Sequence, residues 1–245
     1  AFSAAGATTA AADARPRGWH RYAAAIIAGL CIVTIASIAM AVRGRRETVP
    51  APVSHLGLVL PPSNGLSAPG GTRLAWAADG QSFLYVGPGN GGTQLWRRSL
   101  DALEPAPIPG TEGATSPFLS PDGTRIGYIS LNPFELRLVA PTGGGSTRLL
   151  GGEGVSGGGA VWAEDGFIYF DGLTTLSRVR PDGTGREVVY ALDTLQREVG
   201  VAWPEALPGG TGVLFRVRHI GDAIGDFRIM VTDLRTRKTK SLVQA

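Results

Sequence analysis

A repeat of about 43 residues runs through most of this 245-residue chain and restricts its fold more than any other feature. The pairs Asp79 and Gly80, Asp122 and Gly123, Asp165 and Gly166, and Gly209 and Gly210 fall 43, 43 and 44 residues apart. Each pair follows a short apolar run (74–76, 117–119, 160–162, 201–203) and precedes a second one (83–86, 126–129, 167–170, 213–217). The pair has a mechanical reason. Glycine takes the left-handed backbone that a tight hairpin needs, and the aspartate carboxylate bonds nearby amides. Third runs at 94–98, 135–139, 176–180 and 227–231 alternate apolar and polar residues, the pattern of half-buried strands. Short fourth runs at 106–108, 147–150, 187–190 and 240–243 close each unit. Four strands per repeat predict an all-β fold, a four-bladed propeller-like domain closed as a ring or open as an arc. A further strand is expected over 55–60, added at an edge. Trp76, Trp162 and Trp203 read as one recurring position inside the inter-blade core.

Ahead of the repeats lies a different kind of segment. Residues 22–42 contain no charged side chain. As a helix this stretch would run about 31 Å, close to the roughly 30 Å hydrocarbon core of a bilayer. The expected organisation is therefore a cytoplasmic, disordered tail at 1–21, a single transmembrane helix at 22–42, a linker at 43–54 and the propeller at 55–245. A cleaved signal peptide is the rival. The run is longer than a signal h-region, and Arg43, Arg45 and Arg46 follow it like a stop-transfer flank. Ala25, Gly29 and Ala36 line one face of the expected helix, where small side chains would let a second membrane helix approach closely.

Charge separates along the same boundary. Residues 1–49 hold six arginines against Asp13 and Glu47, a net +4, while 50–245 hold 17 basic and 18 acidic residues, a net −1. A nearly neutral repeat domain argues against nucleic-acid binding. Its basic cluster, Arg235, Arg237, Lys238 and Lys240, reads as a charged edge strand. The single cysteine, Cys31, permits neither an intrachain disulfide nor a cysteine metal site.

Motifs that suggest chemistry lack the structure that chemistry needs. The Gly-x-Ser-x-Gly match at 154–158 would require a helix after Ser156, yet more glycines and a strand follow. The glycine pattern over 152–157 lacks a helix to hold a pyrophosphate. His219, Asp222 and Asp226 could present oxygen and nitrogen ligands to a cation, although a flexible polar loop between two strands accounts for them better. No catalytic, cofactor or metal residue is assigned.

Two stretches carry a family resemblance. Residues 107–114 with 116–128, the latter including Ser120, Pro121, Asp122 and Gly123, resemble the TolB-like propeller repeats of bacteria. Residues 203–215 are similar to the version on the outer half of bacterial transmembrane serine/threonine kinases. The resemblance spans about residues 20–245 and implies an inner-membrane protein with its propeller in the periplasm. No kinase motif accompanies it. The expected function is thus a non-catalytic accessory or scaffold subunit of a membrane complex, of respiratory or photosynthetic type for instance. Its partners would be the lipid bilayer and other membrane subunits, without nucleic acid. A ligand-sensing ectodomain related to those kinases is the alternative.

Overall fold

The structure is a computed structural model and describes residues 26, 30, 33, 34, 57, 59–67, 70–77, 79–90, 92–152, 154–223 and 225–244. The chain divides into two compact units, Ala1–Gly57 and Leu58–Ala245. In the first, Ile26, Leu30, Val33 and Thr34 are helical and exposed. The Thr34 hydroxyl donates to the Leu30 carbonyl at 3.0 Å. The rest of the 22–42 span lies outside the described residues, as do Ala25, Gly29, Ala36, the 1–21 tail and the 43–54 linker. Among the described residues no helix is long and apolar enough to cross a membrane.

The second unit consists of four antiparallel sheets of four strands each, and strand order follows the chain in every sheet. Blade 1 holds β1 (Leu74–Trp76), β2 (Ser82–Gly89), β3 (Gly92–Ser99) and β4 (Ala106–Pro107). Blade 2 holds β5 (Ala114–Leu119), β6 (Ile126–Leu131), β7 (Phe134–Val139) and β8 (Thr147–Gly151). Blade 3 holds β9 (Ala160–Trp162), β10 (Ile168–Asp171), β11 (Thr175–Val179) and β12 (Glu187–Ala191). Blade 4 holds β13 (Glu198–Ala206), β14 (Gly212–His219), β15 (Arg228–Asp233) and β16 (Thr239–Gln244).

The repeated turn explains the pitch. Between β5 and β6 the Asp122 carboxylate accepts from the Ser120 hydroxyl, the Thr124 amide and the Thr124 hydroxyl. Those bonds hold its pKa low, at about 2. Gly123 then adopts φ +69°, which a side chain would resist. Asp79 accepts from the Gln81 amide at 2.8 Å, and Asp165 from the Phe167 amide at 3.0 Å. Gly80 and Gly166 take the same left-handed backbone. In blade 4 the two glycines instead end a short 3-10 turn, Pro208–Gly210.

Packing between blades supplies the core. Leu84, Val86, Leu95 and Ile108 of the blade 1 unit meet Ala114, Ile126, Tyr128 and Val139. Phe118, Ile129, Leu136 and Leu138 meet Ala160, Ile168, Phe170 and Val179. Tyr169 and Leu176 meet Val201, Val213, Phe215 and Val217. Each fully buried aliphatic side chain contributes about 1.5–3 kcal/mol. Of the two alternatives left by the repeat, the structure takes the open one. Three inter-blade cores join four blades, and among the described residues no buried apolar cluster joins blade 4 to blade 1.

The two ends of the arc differ. In blade 1, Leu84 and Val86 face blade 2, so Phe83 and Tyr85 face away, yet both are buried. Residues 59–67 cover part of that side, while Leu74 and Trp76, paired with Tyr85 and Phe83, stay 39% and 51% exposed on it. The Tyr85 hydroxyl donates to the Asn64 carbonyl at 2.8 Å, and the Ser67 amide to the Val86 carbonyl at 2.9 Å. The strand expected over 55–60 is not formed at Gly57, Val59 or Leu60. Pro61 and Pro62 instead begin a 3-10 turn, Pro62–Asn64, because proline brings no amide to a strand ladder.

Candidate functional site

Two surfaces of the arc offer something to bind: the centre where the leading strands converge, and the far face of blade 4.

At the centre, the segments that lead into β1 and β9 meet the start of β5. The Thr115 hydroxyl donates to the Gly70 carbonyl at 3.2 Å, and the Ser116 hydroxyl to the Gly157 carbonyl at 3.1 Å. Gly71 fits because it has no side chain: a Cβ there would stand 2.3 Å from the Gly157 oxygen. Beside this contact lies a funnel of about 390 Å3, with Thr72, Trp76, Pro117, Ala160, Pro204 and Glu205 on its wall. Desolvation by the surrounding atoms raises the pKa of Glu205.

The leading strands of blades 2 and 4 share a device that the repeat pattern concealed. Ser116 and Trp203 both carry positive φ, 49° and 58°, and both precede a proline. Pairing slips at each, between Thr115 and Phe118 and between Ala202 and Glu205. A proline cannot donate to the ladder, so each strand bulges there. Trp203 is therefore the counterpart of Ser116 and does not share a repeat position with Trp76 and Trp162. Trp162 packs at the edge of the core between blades 2 and 3, whereas Trp76 and Trp203 are largely exposed. The Arg216 guanidinium lies 3.9 Å from the Trp203 ring centre and 5.5 Å from that of Phe227.

Sequence reasoning also passed over Asp171, the last residue of β10. It is wholly buried. Its Oδ1 accepts from the Gly159 amide at 3.0 Å, while its Oδ2 has no hydrogen-bond partner. Burial pushes its carboxyl up to about 6, against the opposing pull of the Gly159 amide and the Arg216 charge. No motif announces it, because an aspartate after three apolar strand residues resembles the start of a turn.

The other marked residues do structural work. Ser156 lies in the loop before β9, its amide donating to the Asp171 carbonyl at 2.9 Å, and the following element is a strand. A nucleophile elbow needs a helix there. Asp222 accepts from the His219 amide at 2.7 Å and Asp226 from the Ala223 amide at 3.3 Å, so both close the turns of their own loop. Among the described residues no group of three His, Cys, Asp or Glu side chains is placed to hold a metal ion. The His219 Nε2 accepts from Arg228 at 3.0 Å.

The far face of blade 4 follows from register. Val213, Phe215 and Val217 pack on blade 3, so Leu214 and Arg216 point the other way. Leu214 pairs with Val231, and Val231 with Lys240, which places all three on the face that no blade covers. Trp203, Leu242 and Val243 of this blade are 44%, 48% and 56% exposed.

No protein-family model matches the chain, and no curated protein matches it. Solved structures do. A TolB protein of Agrobacterium tumefaciens is 22% identical with a TM-score of 0.60, over 70% of this chain and 64% of that one. TolB of Acinetobacter baumannii is 17% identical with a TM-score of 0.58, over 71% and 43%. A chain of a nidogen/laminin complex is 14% identical with a TM-score of 0.51, over 62% and 58%. The chain thus spans less than two thirds of either TolB protein. With four sheets strung in chain order and packed face to face, it has a TolB-like β-propeller fold.

Proposed function

We propose that this protein is a non-catalytic docking subunit. The 22–42 segment would hold it in the bacterial inner membrane, and the periplasmic propeller would seat a partner subunit on its exposed apolar surface. One observation carries the reading: Leu74 and Trp76 on the outer side of blade 1, and Trp203, Leu242 and Val243 of blade 4, stand in solvent. A strand face of this kind normally lies against a neighbour, and exposed apolar patches mark interaction sites. The neighbour solved in a nidogen/laminin complex is a similar fold in a protein–protein assembly.

The test is purification from native membranes in mild detergent, with the mass of the particle measured. The wild-type chain and Leu173→Glu, an exposed residue of blade 3, should run as a complex. Val243→Glu should run alone. A monodisperse monomer for all three would refute the docking reading.

A ligand-sensing ectodomain is the second reading, and the central funnel favours it, with Trp76 and Glu205 together on its wall. In that case the monomer would change its stability with a small solute and not with a protein.

A further inference from the structure

A polar groove lies apart from both of these surfaces, on the seam between blades 1 and 2. It has a volume of about 380 Å3, and Asp79, Ser82, Arg97, Ser99, Asp122 and Gly123 line it. Both walls belong to blades already packed on one another.

Register explains why Arg97 stands there. Leu84 and Leu95 pack on blade 2. Arg97 pairs with Leu84 and follows Leu95 by two residues on β3, so its side chain leaves the same face. At that level blade 2 presents Leu119 and the turn at Asp122 and Gly123.

The charges of this groove are only partly used. Among the described residues the Arg97 guanidinium makes no ion pair, and its Nε is buried without a hydrogen-bond partner. Asp79 gives its Oδ1 to the Gln81 amide at 2.8 Å. Asp122 gives its Oδ1 to the Ser120 hydroxyl, the Thr124 amide and the Thr124 hydroxyl. Each turn thus uses one carboxylate oxygen and leaves Oδ2 available. Neither aspartate comes close enough to pair with Arg97. One cation and two anions therefore stand apart in one groove, with the hydroxyl side chains of Ser82 and Ser99 also on its wall.

We infer that this groove binds a small zwitterion carrying a carboxylate and an ammonium group, the chemistry of a free amino acid. The carboxylate accepts from the Arg97 guanidinium, and the ammonium donates to Oδ2 of Asp79 or Asp122. A simple anion fits less well, because two carboxylates stand beside the one guanidinium. A simple cation leaves Arg97 uncompensated. A solute with both signs meets each charge with its opposite. The volume lies in the range of small-molecule pockets. The inference goes beyond the docking reading and does not rest on it, since the exposed apolar surface plays no part.

The test uses the full chain in mild detergent and isothermal titration calorimetry. The probes are glycine, β-alanine and γ-aminobutyrate, whose two charges stand progressively further apart. Acetate and methylammonium serve as controls with one charge each. At least one amino acid should bind saturably at a single site, and neither control should bind at the same concentrations. Arg97→Gln should lower the affinity for that amino acid by about tenfold or more, through the loss of hydrogen bonds to a charged group. Arg97→Lys keeps the charge without the planar fork and should fall between Arg97→Gln and wild type. Asp79→Asn combined with Asp122→Asn should weaken binding as Arg97→Gln does. Each asparagine keeps an Oδ1 for its own turn, so the melting temperature should change little.

Failure of all three amino acids to bind overturns the inference. So does binding of acetate or methylammonium as tight as theirs, which would leave a plain ion site. Binding that Arg97→Gln leaves unchanged puts the solute elsewhere, as in the central funnel, and overturns it too. Should Arg97→Gln not fold, the wild-type titrations and the asparagine pair decide the matter. None of these results bears on the native complex that Val243→Glu is expected to break, so the docking reading is tested separately.

Discussion

Replacing Asp171 by asparagine should stabilise the fold at neutral pH and change it little in acid. The folded chain holds this carboxyl at about 6, against an ordinary value of 3.8. The native state therefore binds the proton more tightly than the unfolded chain does. Its contribution is fully present below the unfolded value and is lost as pH rises through about 6. A difference of this size corresponds to about 3 kcal/mol, and the side chain is buried enough that solvent screening removes little of it. The amide side chain of the Asp171→Asn variant would keep an oxygen for the Gly159 amide and carry no charge to desolvate. Urea unfolding at pH 4.5 and pH 7.5 measures the effect. The variant should be up to about 3 kcal/mol more stable than wild type at pH 7.5 and within about 1 kcal/mol of it at pH 4.5. Other titrating groups act on both proteins, so the difference between the two profiles isolates residue 171. Parallel profiles would show that the carboxylate is solvated or paired in the fold and would refute the reasoning.

Other consequences are open to measurement. Gly127 lies on β6 opposite Phe118, and a Cβ there would stand 2.0 Å from the ring. Gly127→Ala should cost about 1–3 kcal/mol in thermal unfolding, and Phe118→Leu in the same chain should recover part of the loss. An additive double variant would contradict that contact. Protease added to intact spheroplasts should remove the 55–245 domain, whereas survival until the cells are broken would reverse the proposed orientation. Gly29→Ile should weaken association in detergent without lowering the melting temperature of the repeat domain, if the anchor packs against a second helix. An unchanged complex would remove the membrane helix from the interface.

How much of this was legible in the sequence depended on whether the cause was local. The Asp122 turn uses bonds within five residues, so its spacing exposed the blade pitch directly. The alternation in β3, β7, β11 and β15 follows from one face lying in a core. The bulges at Ser116 and Trp203 were hidden because they break the register that the repeat suggests. Trp203 consequently looked like a third copy of Trp76 and Trp162. Asp171 was invisible for another reason. Its burial comes from the loop before β9 and from blade 4, both distant in the pattern around it. The capped side of blade 1 depends on Asn64 and Ser67 reaching β2, and nothing in a proline-rich stretch signals that reach. That Leu214, Val231 and Lys240 share one face of blade 4 likewise emerged only with the register of its strands.

Site-specific photocrosslinking in native membranes tests the central claim most directly. A photoreactive amino acid would replace Leu242 on the far face of blade 4, or Leu173 on blade 3 as an equally accessible control. The account predicts one discrete adduct with another protein from position 242 and none from position 173. No adduct at 242, or the same adduct from both positions, would contradict the claim that this protein holds a partner through the exposed apolar surface of its propeller.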